Sequence, residues 1–474
     1  MFYTKEKKLN RFKARRTKVI EQIKLLNPKI DSGVLLLIAD FESARNTFRQ
    51  ESSFYYLTGI SEPAVVMCCY FNGPDILYMP FYGQSREQWV KSEIGMKSDV
   101  TNFAVDQIKY LGCEINGYSS PPFFTPERYS EILADIKKNL GPCDVIYTLM
   151  DASGSRYFTQ MQLAARLQDW LLDHFSNLAG PTGALVVSLS NHRPKGDGPV
   201  LGRSLLDQKI KMAQPTPLRG FGGQADISGI VHKLRRAKED HEINLIYKAA
   251  QITSVAVQAA AKNIEPDKYE YQIQAIIEYV FKETADAQIA FPSIVATGKN
   301  TTILHSCDRH AKLHSGDLLV VDIGAEYGLY ASDITRTFPV GGKFSVRQKE
   351  VYDIVLQTQK HIESLAVPGM YLNNPNFPEK SLQHQAVKFL TKHGYAQYFV
   401  HGIGHFLGLD VHDVGSHEIP LQPGDVFTIE PGIYIPEENI GIRIEDDYAM
   451  ADDGVVCLSG DLPKSADDIE SMMD

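Results

Sequence analysis

Four carboxylates and one histidine in the last third of the chain could together bind metal ions. Each lies in a separate short sequence motif. The five residues are Asp322, Asp333, His405, Glu430 and Glu445. Four carboxylates carry a charge of −4, which two divalent cations would neutralise. Without cations, four converging anions would repel one another and take up protons. With cations, they would form a site that holds and activates a water molecule.

The spacing of the two aspartates predicts that neighbouring strands bring them together. The apolar, β-branched run 317–324 predicts a buried strand that ends near Asp322, and residues 329–338 predict a second strand that contains Asp333. A turn with two glycines separates these runs, so we expect an antiparallel pair. Both aspartates would then lie at one spot.

The same arrangement recurs near the C-terminus. The run DVFTIEPGIYI carries Glu430, and IGIRIEDDYAM carries Glu445. In the second run isoleucines alternate with other residues, and a period of two places Arg443 and Glu445 on one face of a strand. Arg443 is therefore predicted to orient Glu445.

The ligand types also indicate which metal the site would bind. An oxygen-rich site with one imidazole favours Mn²⁺, with Co²⁺, Fe²⁺ and Zn²⁺ as alternatives. The chain has no C-x-x-C pair and no H-E-x-x-H motif, so neither a thiolate zinc site nor a helix-borne zinc protease is expected. A single carboxylate at a strand end is usually a turn or cap residue, so the prediction depends on the combination.

The phrases around these residues resemble a known family. FPSIVATGKNTTILH, the five ligand phrases and the closing DLPKSADDIESMM resemble the pita-bread metallopeptidases, and within them the Xaa-Pro aminopeptidase (aminopeptidase P) branch. FRQESSFYYLTGISEP resembles the opening domain of the same enzymes. The resemblance covers nearly the whole chain. It implies a creatinase-type α/β N-terminal domain followed by an α+β pita-bread catalytic domain.

The resemblance also implies residue roles. In the family, the residues that match the five named above bind two divalent metal ions, and the match of Glu430 also moves protons. The implied catalytic residues are Glu430, His412, His305, His401 and Arg443, and the implied substrate contacts are His305, His401, His412, Tyr434 and Trp89. Trp89 resembles a tryptophan that in some relatives reaches the active site of a neighbouring subunit, although a role in the core is equally open. A homo-oligomer, either a dimer or a tetramer, is also expected.

The activity implied is release of the first residue from peptides with proline second, through a hydroxide that bridges two metal ions. The Xaa-Pro bond is a tertiary amide without an N–H group.

Prolidase, an Xaa-Pro dipeptidase, shares the fold and ligands and remains the alternative. Methionine aminopeptidase has no comparable first domain. A non-catalytic pita-bread binding module is disfavoured because all five ligands are present.

Composition limits the class and location of the protein. A chain of 474 residues is long enough for two domains, which we expect at 1–190 and 230–474, with a linker or surface excursion at 191–229. The net charge of −10 argues against general nucleic-acid binding. Six cysteines without framework spacing, no membrane-length apolar run and no secretory leader favour a cytoplasmic protein. The family resemblance implies that its partners are peptides.

One segment departs from the family pattern. After His305 the family often has a Tyr and then an Asn, whereas this chain has Ser306-Cys307-Asp308-Arg309. Arg309 is a forked cation that could pair with the carboxylate of a short peptide. A solvated loop residue is the alternative.

Overall fold

The computed structural model describes residues 5–28, 30–41, 48–82, 100, 103–115, 129–140, 145–149, 164–171, 224–306 and 309–474. The chain forms two compact units, Met1–Val231 and His232–Asp474. This division lies close to residue 230, where the sequence predicts the second domain to begin. Residues 191–223 of the predicted linker lie outside the described residues, so the proposed domain limits stay predictions. Trp89 also lies outside them.

The first unit is an α/β domain with a six-stranded mixed sheet, as predicted. Its strands are β1 (Gly33–Ile38), β2 (Val66–Tyr70), β3 (Asp75–Tyr82), β4 (Gln107–Ile115), β5 (Val145–Thr148) and β6 (Gln224–Asp226). Its helices include α1 (Lys5–Leu26), α2 (Ser52–Thr58) and α3 (Ser130–Asn139). The sheet order is β4-β3-β2-β1-β5-β6. Cys68 and Cys69 are fully buried in β2, and burial raises the pKa of both thiols, so they serve packing.

The second unit combines helices with several small antiparallel sheets. Helix α4 (Ser228–Arg236) crosses the division between the units. The other helices are α5 (Asp240–Ala261), α6 (Glu270–Ala285), α7 (Val346–Leu365), α8 (Leu382–Lys392) and α9 (Ala466–Met473). The strands are β7 (Gln288–Ile289), β8 (Ile294–Thr297), β9 (Leu318–Ile323), β10 (Ala325–Tyr327), β11 (Tyr330–Ala331), β12 (Ile334–Pro339), β13 (Val426–Ile429), β14 (Gly432–Ile435), β15 (Ile440–Arg443), β16 (Asp446–Met450) and β17 (Val455–Cys457). None of the helices in the described ranges is both long and apolar enough to cross a membrane.

The sheets that matter for function are β12-β9-β8, β13-β16-β17 and β14-β15. In the first of them, β9 and β12 are antiparallel and Asp322 is opposite Thr335. Both strands are buried at every position. Leu, Val and Ile fill most of β9, whereas β12 also buries Thr335, Arg336 and Thr337. The predicted pairing of the two aspartate-bearing segments is therefore present.

The strand segments differ from the prediction at two ligands. Asp333 lies in a gap between β11 and β12 rather than inside one continuous strand. Glu445 lies in a second gap, between β15 and β16, and makes a single bridge to Thr335 of β12. In a continuous strand these residues would take part in regular backbone pairing. Each interruption of the pairing allows one carboxylate to point toward the other proposed ligands.

Gly324, directly after the aspartate-bearing strand β9, can be replaced to test this packing. A Cβ atom at Gly324 would lie 1.9 Å from the carbonyl oxygen of Ser332. We expect Gly324→Ala to lower the free energy of unfolding by about 1–3 kcal/mol, because rigid backbone must shift. Chemical denaturation measures it. Gly229→Ala in α4 is the control, since its Cβ meets nothing within 4 Å; equal stabilities for the two variants would refute the packing argument.

Candidate metal centre

The five predicted ligands come from five segments of the second unit. One ligand atom each from Asp333, His405 and Glu445 lies within 4.8 Å of the others. The Nε2 atom of His405 is 3.4 Å from Asp333 Oδ2 and 3.7 Å from Glu430 Oε1. Asp322 is linked to Glu445 by a chain of hydrogen bonds through Arg443 and the Thr335 hydroxyl. The fold therefore brings the whole predicted set together.

Asp322 is held from one side only. The Nη2 atom of Arg443 donates to Asp322 Oδ2 at 2.5 Å, and both side chains are nearly buried. The other oxygen, Oδ1, is buried without a hydrogen-bond partner. A buried, unpartnered carboxylate oxygen is unfavourable unless something else binds it. Asp322 thus presents one free oxygen to the site.

Asp333 has a similar arrangement. Its backbone N–H donates to both carboxylate oxygens of Asp447, at 3.2 and 3.3 Å. Its Oδ1 atom is also buried and without a hydrogen-bond partner. Two such oxygens, together with an imidazole nitrogen, are the donor set that a divalent cation prefers. The residues present therefore fit a metal site.

His405 is prepared as a ligand by its surroundings. Its Nδ1 atom is 3.1 Å from the carbonyl oxygen of Phe406, so Nδ1 carries the proton and Nε2 has a free lone pair. The ring stacks on His412 with the ring centroids 4.0 Å apart. Burial, with a contribution from His412, lowers the pKa of His405 to about 3. The imidazole is therefore neutral, which is the form that binds metal.

The pKa values of the acidic residues shift upward, in the opposite direction to that of His405. Burial is the largest cause that raises the pKa of Asp333 and Glu445 well above their usual values, and neighbouring carboxylates raise them further. Burial and Asp322 raise the pKa of Glu430 to about 8, although Arg443 acts against the shift. These carboxylates hold protons that a bound cation would displace.

Three predicted substrate histidines lie beside this cluster. His401 Nε2 is 2.9 Å from the hydroxyl of Tyr434, and its Nδ1 is 3.7 Å from Glu430 Oε2. Burial, with a smaller contribution from Arg443, lowers the pKa of His401 to about 4. His305 contributes electrostatically to lowering the pKa of both His401 and His412.

Two residues that the sequence analysis missed complete the cluster. Thr335 donates to Glu445 Oε2 at 2.7 Å and accepts from Arg443 Nε at 3.2 Å. Arg443 therefore reaches Glu445 through Thr335, while its direct ion pair is with Asp322. Asp447 is the second, and its position two residues after Glu445 in β16 was the only signal in the sequence.

A second acidic cluster lies at the start of α5 and consists of Glu239, His241 and Glu242. Glu242 accepts from the backbone of Glu239 at 2.9 Å and from the Tyr330 hydroxyl at 2.6 Å. Glu239 and Glu242 form a capping box, which accounts for their proximity. This cluster is structural.

In the segment that departs from the family pattern, Ser306 is buried, and Cys307 and Asp308 lie outside the described residues. The Nε atom of Arg309 is buried without a hydrogen-bond partner. Its pairing with a peptide carboxylate stays a prediction.

Comparisons with known proteins agree with this geometry. Residues 244–452 match metallopeptidase family M24, and residues 12–114 match the N-terminal domain of aminopeptidase P. The Xaa-Pro aminopeptidase of Haemophilus influenzae is 29% identical over 98% of this chain and 96% of its own length. The Xaa-Pro dipeptidase of Pyrococcus furiosus is 38% identical, over 49% of this chain and 66% of its own length. A low-pH structure of aminopeptidase P from E. coli superimposes with a TM-score of 0.75 at 25% identity, covering 100% of this chain and 99% of the other.

The acidic site on small antiparallel sheets defines a pita-bread metallopeptidase, and the chain is a hydrolase. Because both the catalytic unit and the first domain match, the chain belongs to family M24 and, within it, to aminopeptidase P.

Metal removal gives a direct test of the site. We expect chelator-treated protein to have a lower Tm than metal-loaded protein, because ions bind only the folded state. The Tm of the metal-free protein should also fall as the pH rises from about 6 to about 8. In this range the folded chain binds more protons than the unfolded chain, so raising the pH favours unfolding. Glu430, whose pKa is raised to about 8, contributes to this slope.

Thermal denaturation at several pH values, with and without Mn²⁺, measures both effects. Metal-free Glu430→Gln is the control and should show a flatter dependence on pH. Identical Tm values before and after chelation would rule out a metal-stabilised site.

Proposed function

We propose that this protein is a two-metal Xaa-Pro aminopeptidase that releases the first residue of a peptide whose second residue is proline. One observation supports this proposal most directly. Asp322 and Asp333 each have a buried oxygen without a hydrogen-bond partner, and the Nε2 atom of His405 has a free lone pair. The full-length similarity to Xaa-Pro aminopeptidases supports the substrate class.

The five residues proposed to hold two divalent cations are Asp322, Asp333, His405, Glu430 and Glu445. We favour Mn²⁺ because oxygen donors outnumber the single imidazole. When bound, the ions supply Lewis-acid polarisation of the scissile carbonyl and lower the pKa of a water molecule. We further propose a cytoplasmic, homo-oligomeric enzyme, a dimer or a tetramer, whose partners are peptides.

Glu430 is the proposed proton carrier. A bound cation would displace the proton that the metal-free site leaves on Glu430, and the resulting carboxylate can accept a proton and release it again. It would accept the proton of the attacking water and pass it to the departing proline nitrogen. The Thr428 hydroxyl donates to one oxygen of Glu430 at 3.4 Å and orients the carboxyl group, while His401 Nδ1 lies 3.7 Å from the other oxygen.

The histidines are proposed to bind the substrate. His412 and His305 would donate to the oxygen that becomes negative during attack, or position the peptide. His401 is steadied by Tyr434, whose hydroxyl also accepts from Arg443 at 2.7 Å. The free amino terminus of the substrate would lie near Asp322. Trp89 keeps its proposed substrate role, without support from the described residues.

Prolidase is the second candidate, because dipeptidases are similar to the catalytic half of this chain. The match of residues 12–114 to the N-terminal domain of aminopeptidase P favours the aminopeptidase. The two activities differ in whether a dipeptide suffices as substrate.

The substrate class is tested with four peptides. We expect cleavage of Xaa-Pro-Yaa-Zaa after its first residue, and slow or no cleavage of Xaa-Pro and of Xaa-Ala-Yaa-Zaa. The N-acetylated form of the first peptide should not be cleaved, since the contact of the free amine is lost. Chromatography of the products measures all four. A preference for the dipeptide would establish prolidase activity instead.

Two substitutions separate the proton carrier from the substrate contact. Glu430→Gln should lower kcat by at least about 100-fold, because a neutral amide neither carries the proton nor binds the cation well. His412→Ala should lower kcat/KM while metal content stays near that of the wild type. Steady-state kinetics and elemental analysis measure these effects. Loss of metal from His412→Ala would make His412 a ligand and contradict the assignment.

A further inference from the structure

A fully buried arginine lies behind the metal site and joins three segments of the second unit. Arg336, on β12, uses all five of its N–H groups as donors. Its acceptors are the carbonyl oxygens of Thr335 at 2.9 Å, Glu445 at 2.8 Å, Leu462 at 3.2 Å and Pro463 at 2.9 Å, and Asp446 Oδ1 at 2.8 Å. Lysine offers only three donors from one point, so it could not make these contacts.

The carboxylate of Asp446 is saturated in the same way. It accepts from Arg336, from the Ser459 hydroxyl at 2.7 Å, from Lys464 Nζ at 3.0 Å and from Gln359 Nε2 at 3.0 Å. Two cations, Arg336 and Lys464, therefore contact this fully buried carboxylate directly, and both hold it in place.

This network fixes Glu445 from behind. The carbonyl of Glu445 accepts from Arg336, and its N–H donates to the carbonyl of Thr335 at 3.1 Å. Its carboxylate accepts from the Thr335 hydroxyl at 2.7 Å. Arg336 is in turn oriented by Asp446 and by the carbonyls of 462 and 463. The position of a proposed metal ligand thus depends on a segment that follows it in the chain.

We propose that residues 459–464, together with Arg336 and Asp446, support metal binding by holding Glu445 in place. Within this network, Lys464 is a positioning residue for Glu445. The inference rests on the proposed role of Glu445 as a ligand. Metal ligands must be held within about 0.5 Å of their binding positions, so a loosened carbonyl at Glu445 weakens the site. Lys464 itself contacts no proposed ligand and acts through Asp446.

The test is Lys464→Met, which keeps the apolar stem and removes the charge. We expect the Kd for one of two Mn²⁺ ions to rise by about tenfold, the lower end for residues that orient metal ligands. Calorimetric titration of chelator-treated, full-length protein measures it. Lys464→Arg, which keeps the charge, should restore most of the affinity.

Lys349→Met is the matched control. Lys349 pairs with Asp467 of the C-terminal helix at 2.5 Å, but both side chains are largely exposed and the pair does not touch Asp446. We expect wild-type affinity for Mn²⁺. If Lys464 were only a structural anchor, Lys464→Met would lower the Tm of the metal-free protein and leave both Kd values unchanged, which overturns the proposal.

Two further outcomes are distinguishable. If Lys464→Met does not fold, Ser459→Ala decides instead, because it removes one hydrogen bond to Asp446; the Kd should rise by a few-fold if the proposal holds and stay unchanged if it does not. Wild-type protein that binds no Mn²⁺, Co²⁺ or Zn²⁺ would refute the proposed function itself. Wild-type protein that binds two ions as tightly as Lys464→Met does would refute only the role of Lys464.

Discussion

Four carboxylates enclosed in one buried site are the constraint on which the catalytic unit depends. Burial and mutual repulsion raise the pKa of Asp333, Glu430 and Glu445, so the metal-free site keeps protons at the cost of stability. One buried oxygen on each of Asp322 and Asp333 has no hydrogen-bond partner and can bind a cation. Divalent cations would remove the repulsion and bind both of these oxygens.

Two buried arginines keep Asp322 and Glu445 in place. Arg443 binds Asp322 directly and reaches Glu445 through the Thr335 hydroxyl. Arg336 holds the backbone of Glu445 from the opposite side. Two arginines and one threonine therefore bracket the ligands, and the small sheets supply the rigid backbone that makes this geometry reproducible.

The sequence singled out the five proposed ligands because each lies in a distinctive motif, and the structure brings atoms of Asp333, His405 and Glu445 within 4.8 Å of one another. Their role as metal ligands stays a prediction. Apolar residues at helical spacing in 238–262 and 269–283 predict two helices, and the structure has them at Asp240–Ala261 and Glu270–Ala285. The sequence did not predict the strand gaps at Asp333 and Glu445, since a gap depends on tertiary pairing with β12 rather than on local periodicity.

Nor did sequence alone connect Arg336 to Lys464, because the two are distant in the chain and meet only through Asp446.

Anomalous diffraction from crystals grown with Mn²⁺ tests the central claim most directly. Data collected at the manganese absorption edge locate each ion without assumptions about the ligands. The account predicts two peaks per chain, both contacted by residues of the set Asp322, Asp333, His405, Glu430 and Glu445, with Glu445 in contact with at least one. A single peak, or peaks at the capping cluster of α5 instead, would contradict it.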